Sequence, residues 1–91
     1  MTADRVALIR ARLMQRFAPQ ELEVLDDSAA HRGHAGARDG RGHFAVRIVA
    51  SAFAGQAPLE RHRMVYAALG ELMQQDIHAL SIIARAPDEN H

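Results

Sequence analysis

Apolar and polar positions divide the first half of the chain into one helix and two strands. Apolar residues three or four positions apart predict a helix over residues 3–17, with Thr2 as its N-cap and Pro19 stopping its continuation. The apolar stripe of this helix consists of Val6, Ile9, Leu13 and Phe17. Alternating residues then predict a half-buried strand over residues 21–24 and a stronger strand over residues 44–49.

The second half of the chain predicts one more helix and one more strand. Pro58 is expected to open a helix that continues to about Met73. The buried stripe of this helix is expected to consist of Val65, Ala68, Leu69, Leu72 and Met73. Residues 77–85 are apolar on both faces, which predicts a strand covered on both sides, and residues 86–91 predict a frayed tail.

The predicted order α-β-β-α-β places residues 1–91 in a single α+β domain. Both helices can bury their stripes against one face of a three-stranded sheet, which gives a sandwich of two layers. Residues 29–42 contain four of the six glycines of the chain. Two of the six histidines lie in this segment, and a third, His43, directly follows it. This composition predicts a flexible loop rich in histidine.

Charge and composition narrow the classes of partner. Eleven basic and eleven acidic residues give a net charge of zero, so no overall attraction to nucleic acid or to an anionic membrane is expected. No apolar run is long enough to span a membrane, the N-terminus does not resemble a secretory signal, and cysteine is absent. We therefore expect a small cytoplasmic domain.

Known catalytic patterns are missing from the sequence. It contains no cysteine nucleophile, no G-x-S-x-G elbow, no P-loop and no G-x-G-x-x-G fingerprint. We therefore expect that the protein is not an enzyme.

The histidines are the strongest candidates for chemistry, because imidazole is a ligand for borderline metals. His31 and His34 lie three residues apart beside glycine, but this spacing fits a solvated polar loop equally well. His78 enters an apolar strand, where either a backbone partner or a functional role would account for it. His43 is expected to point outward or to cap the sheet edge.

The start of the second long helix is a candidate binding surface. Arg61 and Arg63 oppose the helix dipole there, which hints at an anion or a partner, while His62 is expected to be a partly buried histidine beside the apolar stripe.

With these segments placed, the chain resembles the BolA family over nearly its whole length. The matching segments are Leu22-Glu23-Val24 with Asp27-Ser28, His31-Arg32-Gly33-His34-Ala35-Gly36, His43-Phe44, Val49 to Gly55, Leu59 to Leu69, and Ile77-His78-Ala79-Leu80. The combination of Arg61-His62-Arg63 with His78-Ala79-Leu80 is the most specific part of the resemblance. This sequence departs from the family pattern after the third predicted strand, where the family often continues into a further C-terminal helix.

The resemblance implies a fold similar to class II KH domains and partnership with monothiol glutaredoxins that carry a C-G-F-S motif. It also implies a [2Fe-2S] cluster shared between the two proteins, with sulfur from the glutaredoxin cysteine and from glutathione. His78 corresponds to the family's histidine ligand, and His34 to the variable loop ligand, with His31 as the alternative.

Two other functions stay open at this point. Some BolA proteins act as DNA-binding transcriptional regulators, for which Arg61, Arg63 and loop arginines would contact phosphate. A mononuclear zinc or copper site formed by His31, His34 and His78 is the other alternative, and the free protein could be a monomer or a homodimer.

Overall fold

Residues 4–27 and 42–89 are described by the computed structural model. Their helices and strands follow the order α1 (Arg5–Phe17), β1 (Glu21–Asp26), β2 (Gly42–Val49), α2 (Pro58–Leu69), α3 (Leu72–Gln75) and β3 (Ile77–Arg85). The loop predicted over residues 29–42 lies outside the described residues, except for its last residue, Gly42, which opens β2. Among the described residues, no helix has the length and apolar character needed to cross a membrane.

The three strands form one mixed sheet with β2 at its centre. β1 pairs with β2 in antiparallel orientation, and β3 pairs with β2 in parallel orientation. The crossover from β2 to β3 runs through α2 and α3, as a parallel pair requires. The α+β prediction of helices packed on one face of a three-stranded sheet is confirmed.

One hydrophobic core joins the helices to the inner face of the sheet. The buried side chains of α1 and α2 are Ile9, Leu13, Phe17, Val65 and Leu69, and those of the sheet include Val24, Phe44, Val46 and Ile48. Within residues 4–27 and 42–89, no helix packs on the outer face, where Leu25 is 54% exposed and Ile83 is 49% exposed. The prediction that β3 is covered on both sides is therefore wrong, because both long helices occupy the same face.

The ends of α1 are set by local hydrogen bonds. The N-cap is Asp4 rather than the predicted Thr2, and Thr2 lies outside the described residues. The Asp4 Oδ1 accepts hydrogen bonds from the backbone N–H groups of Val6 at 3.0 Å and Ala7 at 3.3 Å. At the other end Ala18 adopts a left-handed conformation, with φ at 46°.

The second long helix is divided in two, where the sequence predicts one continuous helix to Met73. The break lies at Gly70, whose φ of 54° is incompatible with an α-helix and is rarely adopted by residues with a side chain. The guanidinium of Arg12 on α1 donates a hydrogen bond to the carbonyl of Leu69 at 3.1 Å, so the chain at the break is also attached to α1. Leu72 remains buried, and Met73 packs partly against the core.

The C-terminal segment is anchored as far as Glu89, so the prediction of a frayed tail is wrong for residues 86–89. Ala86 is fully buried, and Pro87–Glu89 form a 3-10 turn. The Glu89 carboxylate accepts two hydrogen bonds from the Arg61 guanidinium, at 2.6 and 2.9 Å, and one from the Ala86 N–H at 3.0 Å. Residues 90–91 lie outside the described part of the chain.

This anchor changes the acid–base properties of both partners. The hydrogen bonds from Arg61 and then from Ala86 lower the pKa of Glu89 to about 2. The hydrogen bond to Glu89 raises the pKa of Arg61 above its ordinary value.

We expect Leu13→Ala to lower the free energy of unfolding by about 2–5 kcal/mol, because it opens a cavity between α1 and the sheet. Urea denaturation measures this change. The matched control is Leu59→Ala on α2, where the side chain is 62% exposed and the expected change is within about 0.5 kcal/mol. Equal losses for the two variants would contradict the packing described above.

Glu89→Gln tests the C-terminal anchor through its pH dependence. Since the pKa of Glu89 lies below its ordinary value of 4.5 in the folded state, the anchor contributes fully above about pH 5, and its contribution is lost as the pH falls through 4.5 toward about 2. The difference in unfolding free energy between wild type and Glu89→Gln should therefore be constant near neutrality and shrink over that acidic range. Asp88→Asn, which keeps the Arg61–Glu89 pair, is the control. A difference that does not change with pH would contradict the assigned role of Glu89.

Candidate functional site

His78 is the second residue of β3, and its side chain is exposed. The preceding residue, Ile77, is buried in the core with 1% exposure, so the backbone that carries the imidazole is fixed from within. An imidazole locked in the interior could not act as a ligand toward a partner. His78 is not in the interior, because its side chain is exposed at the surface of the protein.

The exposure of His78 follows from an irregular step in the pairing of β2 with β3. Gly42 pairs with Ile77, whereas the next residue, His43, pairs with Ala79. His78 is thus one additional residue in β3 at this step. A bulge of this kind interrupts the alternation of side chains and redirects the residue it contains. Regular alternation would place His78 on the same face as the partly buried Leu80.

His43 lies directly beside His78. Its side chain is 8% exposed, and the centres of the two imidazole rings are 5.1 Å apart with a tilt of 52°. The prediction of an outward-pointing residue is wrong for His43, because its side chain is buried beside the ring of His78. Sequence reasoning missed His43 as a neighbour of His78, and the only signal was a histidine at the start of a strong strand.

The two ends of the undescribed segment are both held at this edge of the sheet. The Asp27 N–H donates to the carbonyl of His43 at 2.7 Å, and the Gly42 N–H donates to the carbonyl of Asp76 at 2.9 Å. The chain therefore leaves the sheet at Asp27 and rejoins it at Gly42, next to His78. His31 and His34 lie in the segment between, outside the described residues, and their roles stay predictions.

Asp76 fixes the turn that precedes His78. Its carboxylate accepts a hydrogen bond from the Arg5 Nε at 3.2 Å, and its carbonyl accepts the bond from Gly42. The side chains of Arg5 and Asp76 are both about a quarter exposed, at 26% and 24%. The start of β3 is therefore held by both α1 and β2, which orients the residue that carries the exposed imidazole.

The described residues alone do not form a complete metal site. Within residues 4–27 and 42–89, no three His, Cys, Asp or Glu side chains are grouped closely enough to hold a metal ion. The chain also has no cysteine to supply sulfur. One exposed imidazole at a well-held position fits a site that other molecules, or other parts of the chain, complete.

The second predicted surface, at the start of α2, is far from His78. The Arg61 guanidinium contacts the carbonyl of Ala84 at 3.0 Å, near the opposite end of β3. At about 3.3 Å per residue, the six positions from His78 to Ala84 correspond to about 20 Å. The structure therefore does not bring the predicted histidine and arginine sites together.

The three residues of this surface differ in availability. The Arg61 side chain is only 12% exposed and also donates to the Gln56 carbonyl at 2.8 Å, so its guanidinium is engaged within the chain. His62 is half-buried beside it. Arg63 is exposed and lies 3.8 Å from Glu60, one helical turn away.

Comparison with known proteins identifies the family to which the chain belongs. The family model for BolA-like proteins matches residues 13–89. SufE-like protein 1 (chloroplastic/mitochondrial) of Arabidopsis thaliana is 44% identical over 86 residues, covering 89% of this chain and 23% of that protein. BolA-like protein 1 of Mus musculus is 43% identical over 81 residues, covering 89% of this chain and 57% of the mouse protein. This chain thus spans less than two thirds of the length of either relative.

A bacterial relative and a solved structure agree with this assignment. The DNA-binding transcriptional regulator BolA of Escherichia coli (strain K12) is 39% identical over 74 residues, covering 81% of this chain and 68% of that protein. The BolA domain of SufE1 from Arabidopsis thaliana has the same fold, with a TM-score of 0.85, 40% identity, and coverage of 98% of this chain and 99% of the other. The chain belongs to the BolA family.

Proposed function

We propose that this protein is an adaptor that binds a monothiol glutaredoxin with a C-G-F-S motif and shares with it a [2Fe-2S] cluster ligated by glutathione. The observation that carries the proposal is the exposed imidazole of His78 at the edge where the segment with His31 and His34 is anchored. A partner protein can reach this edge, and in this proposal the segment between Asp27 and Gly42 would supply the second nitrogen ligand.

The donor set of the chain suits the nitrogen half of a mixed-ligand site. His78 would supply one nitrogen and His34 a second, with His31 as the alternative to His34. Without cysteine, the sulfur must come from the glutaredoxin and from glutathione. A cluster with two histidines on one iron has a higher reduction potential than one with four cysteines.

The role that follows is transfer or sensing of a cluster rather than catalysis. The exposed histidine lies on a strand whose first residue, Ile77, is buried in the core. We propose that the protein serves iron–sulfur cluster assembly and trafficking or the regulation of iron in the cytoplasm. Because a relative is named for the chloroplast and mitochondrion, the cytoplasmic location is to be tested by localising this protein in cells.

Replacement of His78 tests this function. We expect wild-type protein mixed with a C-G-F-S glutaredoxin, glutathione, iron and sulfide to form a coloured heterodimer, with a visible circular dichroism spectrum unlike that of the glutaredoxin homodimer. His78→Ala should lose this spectrum, because one iron ligand is removed while the exposed position leaves the fold intact.

The matched control for this experiment is His62→Ala, which removes an imidazole near the far end of β3. It should leave the spectrum unchanged. A heterodimer spectrum that survives both His78→Ala and His34→Ala would contradict the ligand assignments, and no heterodimer with the wild type would contradict the proposed function.

The alternative function is that of a DNA-binding transcriptional regulator, and the name of the Escherichia coli relative favours it. Phosphate contacts require available cations. The exposed Arg63 meets this need, whereas Arg61 is held by Glu89 and the net charge of the chain is zero. The charge and the engagement of Arg61 make this function the weaker candidate.

Fluorescence anisotropy with duplex DNA at low salt separates the two functions. The adaptor hypothesis predicts a flat titration, with no difference between wild type and Arg63→Ala. Binding that weakens steeply with salt, and that Arg63→Ala reduces, would favour the regulator, because release of counterions from phosphate governs such affinities.

A further inference from the structure

His43 and His78 form a pair of imidazoles that the proposed cluster role does not use as a pair. We propose that the two rings together chelate a single divalent transition-metal ion, Zn²⁺ or a similar borderline cation, when no glutaredoxin is bound. The site uses one nitrogen from each ring and is completed by solvent. It does not depend on the shared cluster, although both sites use His78.

The separation of the rings carries this proposal. Zn²⁺ binds imidazole nitrogen at about 2.0–2.1 Å in tetrahedral geometry, so two imidazoles on one ion have ring centres about 5 Å apart. The centres of His43 and His78 are 5.1 Å apart. The proposed chelate requires the exposed His78 side chain to rotate so that one of its nitrogens faces the ion.

The backbone under the pair is already ordered, which lowers the cost of binding. His43 is held in the central strand, with its carbonyl accepting from Asp27, while Gly42 and Asp76 connect the two strands just before the rings. Ligands on paired strands lose little freedom when a metal binds. The exposure of His78 leaves the remaining coordination positions open to water.

Imidazole also explains which ion is expected. Two neutral nitrogen donors suit Zn²⁺, Cu²⁺ and Ni²⁺ and are poor ligands for Mg²⁺ or Ca²⁺, which prefer oxygen. Occupation of His78 by such an ion would block its use as a cluster ligand. The pair would then make cluster sharing sensitive to other metals.

The test is a titration of the isolated protein with Zn²⁺ alone at neutral pH, in a His31→Ala/His34→Ala background that removes the loop imidazoles. Calorimetry should show one ion per chain, and NMR should show shifts of the ring protons of both His43 and His78. His78→Ala and His43→Phe, each added to this background, should weaken binding at least tenfold.

Two variants keep this test decisive. His43→Phe retains an aromatic ring against His78 and fills the buried position, so an unchanged thermal unfolding midpoint shows that a loss of binding comes from the missing nitrogen. His62→Ala should bind as the background does. The absence of Zn²⁺ binding, or equal Zn²⁺ binding by the background and by His43→Phe, would overturn the proposed chelate. Neither result changes the expectation that the wild-type protein forms a coloured heterodimer with the glutaredoxin, which tests the proposed function separately.

Discussion

The parallel pairing of β2 with β3, with its shift at Gly42 and His43, is the constraint on which the site depends. Without the shift, alternation would direct His78 toward the core with Leu80. With it, the imidazole is exposed while Ile77 remains buried on one side of it. The same short stretch of sheet also anchors the returning chain at Gly42. One irregular step thus exposes the ring and places the end of the histidine-bearing segment beside it.

The rest of the fold holds this edge in place from a distance. The core under β2 combines side chains from α1, α2 and all three strands, so the central strand cannot move independently. Asp76 connects the start of β3 to α1 through Arg5, and the break at Gly70 connects α2 to α1 through Arg12. At the far end of β3, Arg61 and Glu89 fix the chain after the last strand. Arg61, near the start of α2, therefore stabilises the C-terminal segment of the fold.

Elements governed by local patterns were predictable from the sequence, and those governed by tertiary pairing were not. The stripe of Ile9, Leu13 and Phe17 predicts α1, and the alternation around Phe44 predicts the central strand. The break at Gly70 was not predictable, since an isolated glycine is tolerated inside helices. The exposure of His78 depends on the register shift between β2 and β3, and the anchoring of Glu89 depends on an arginine 28 positions away. Resemblance to the family identified His78 as a ligand candidate, whereas His43 emerged only from the structure.

Pulsed electron paramagnetic resonance of the reduced heterodimer shows whether nitrogen from this chain ligates the iron. The protein would carry ¹⁵N-histidine, and the glutaredoxin and glutathione would be unlabelled. If histidine nitrogen ligates the iron, the wild-type heterodimer shows strong ¹⁵N hyperfine couplings between the labelled protein and the cluster. A cluster-loaded heterodimer without any ¹⁵N coupling would contradict this ligation.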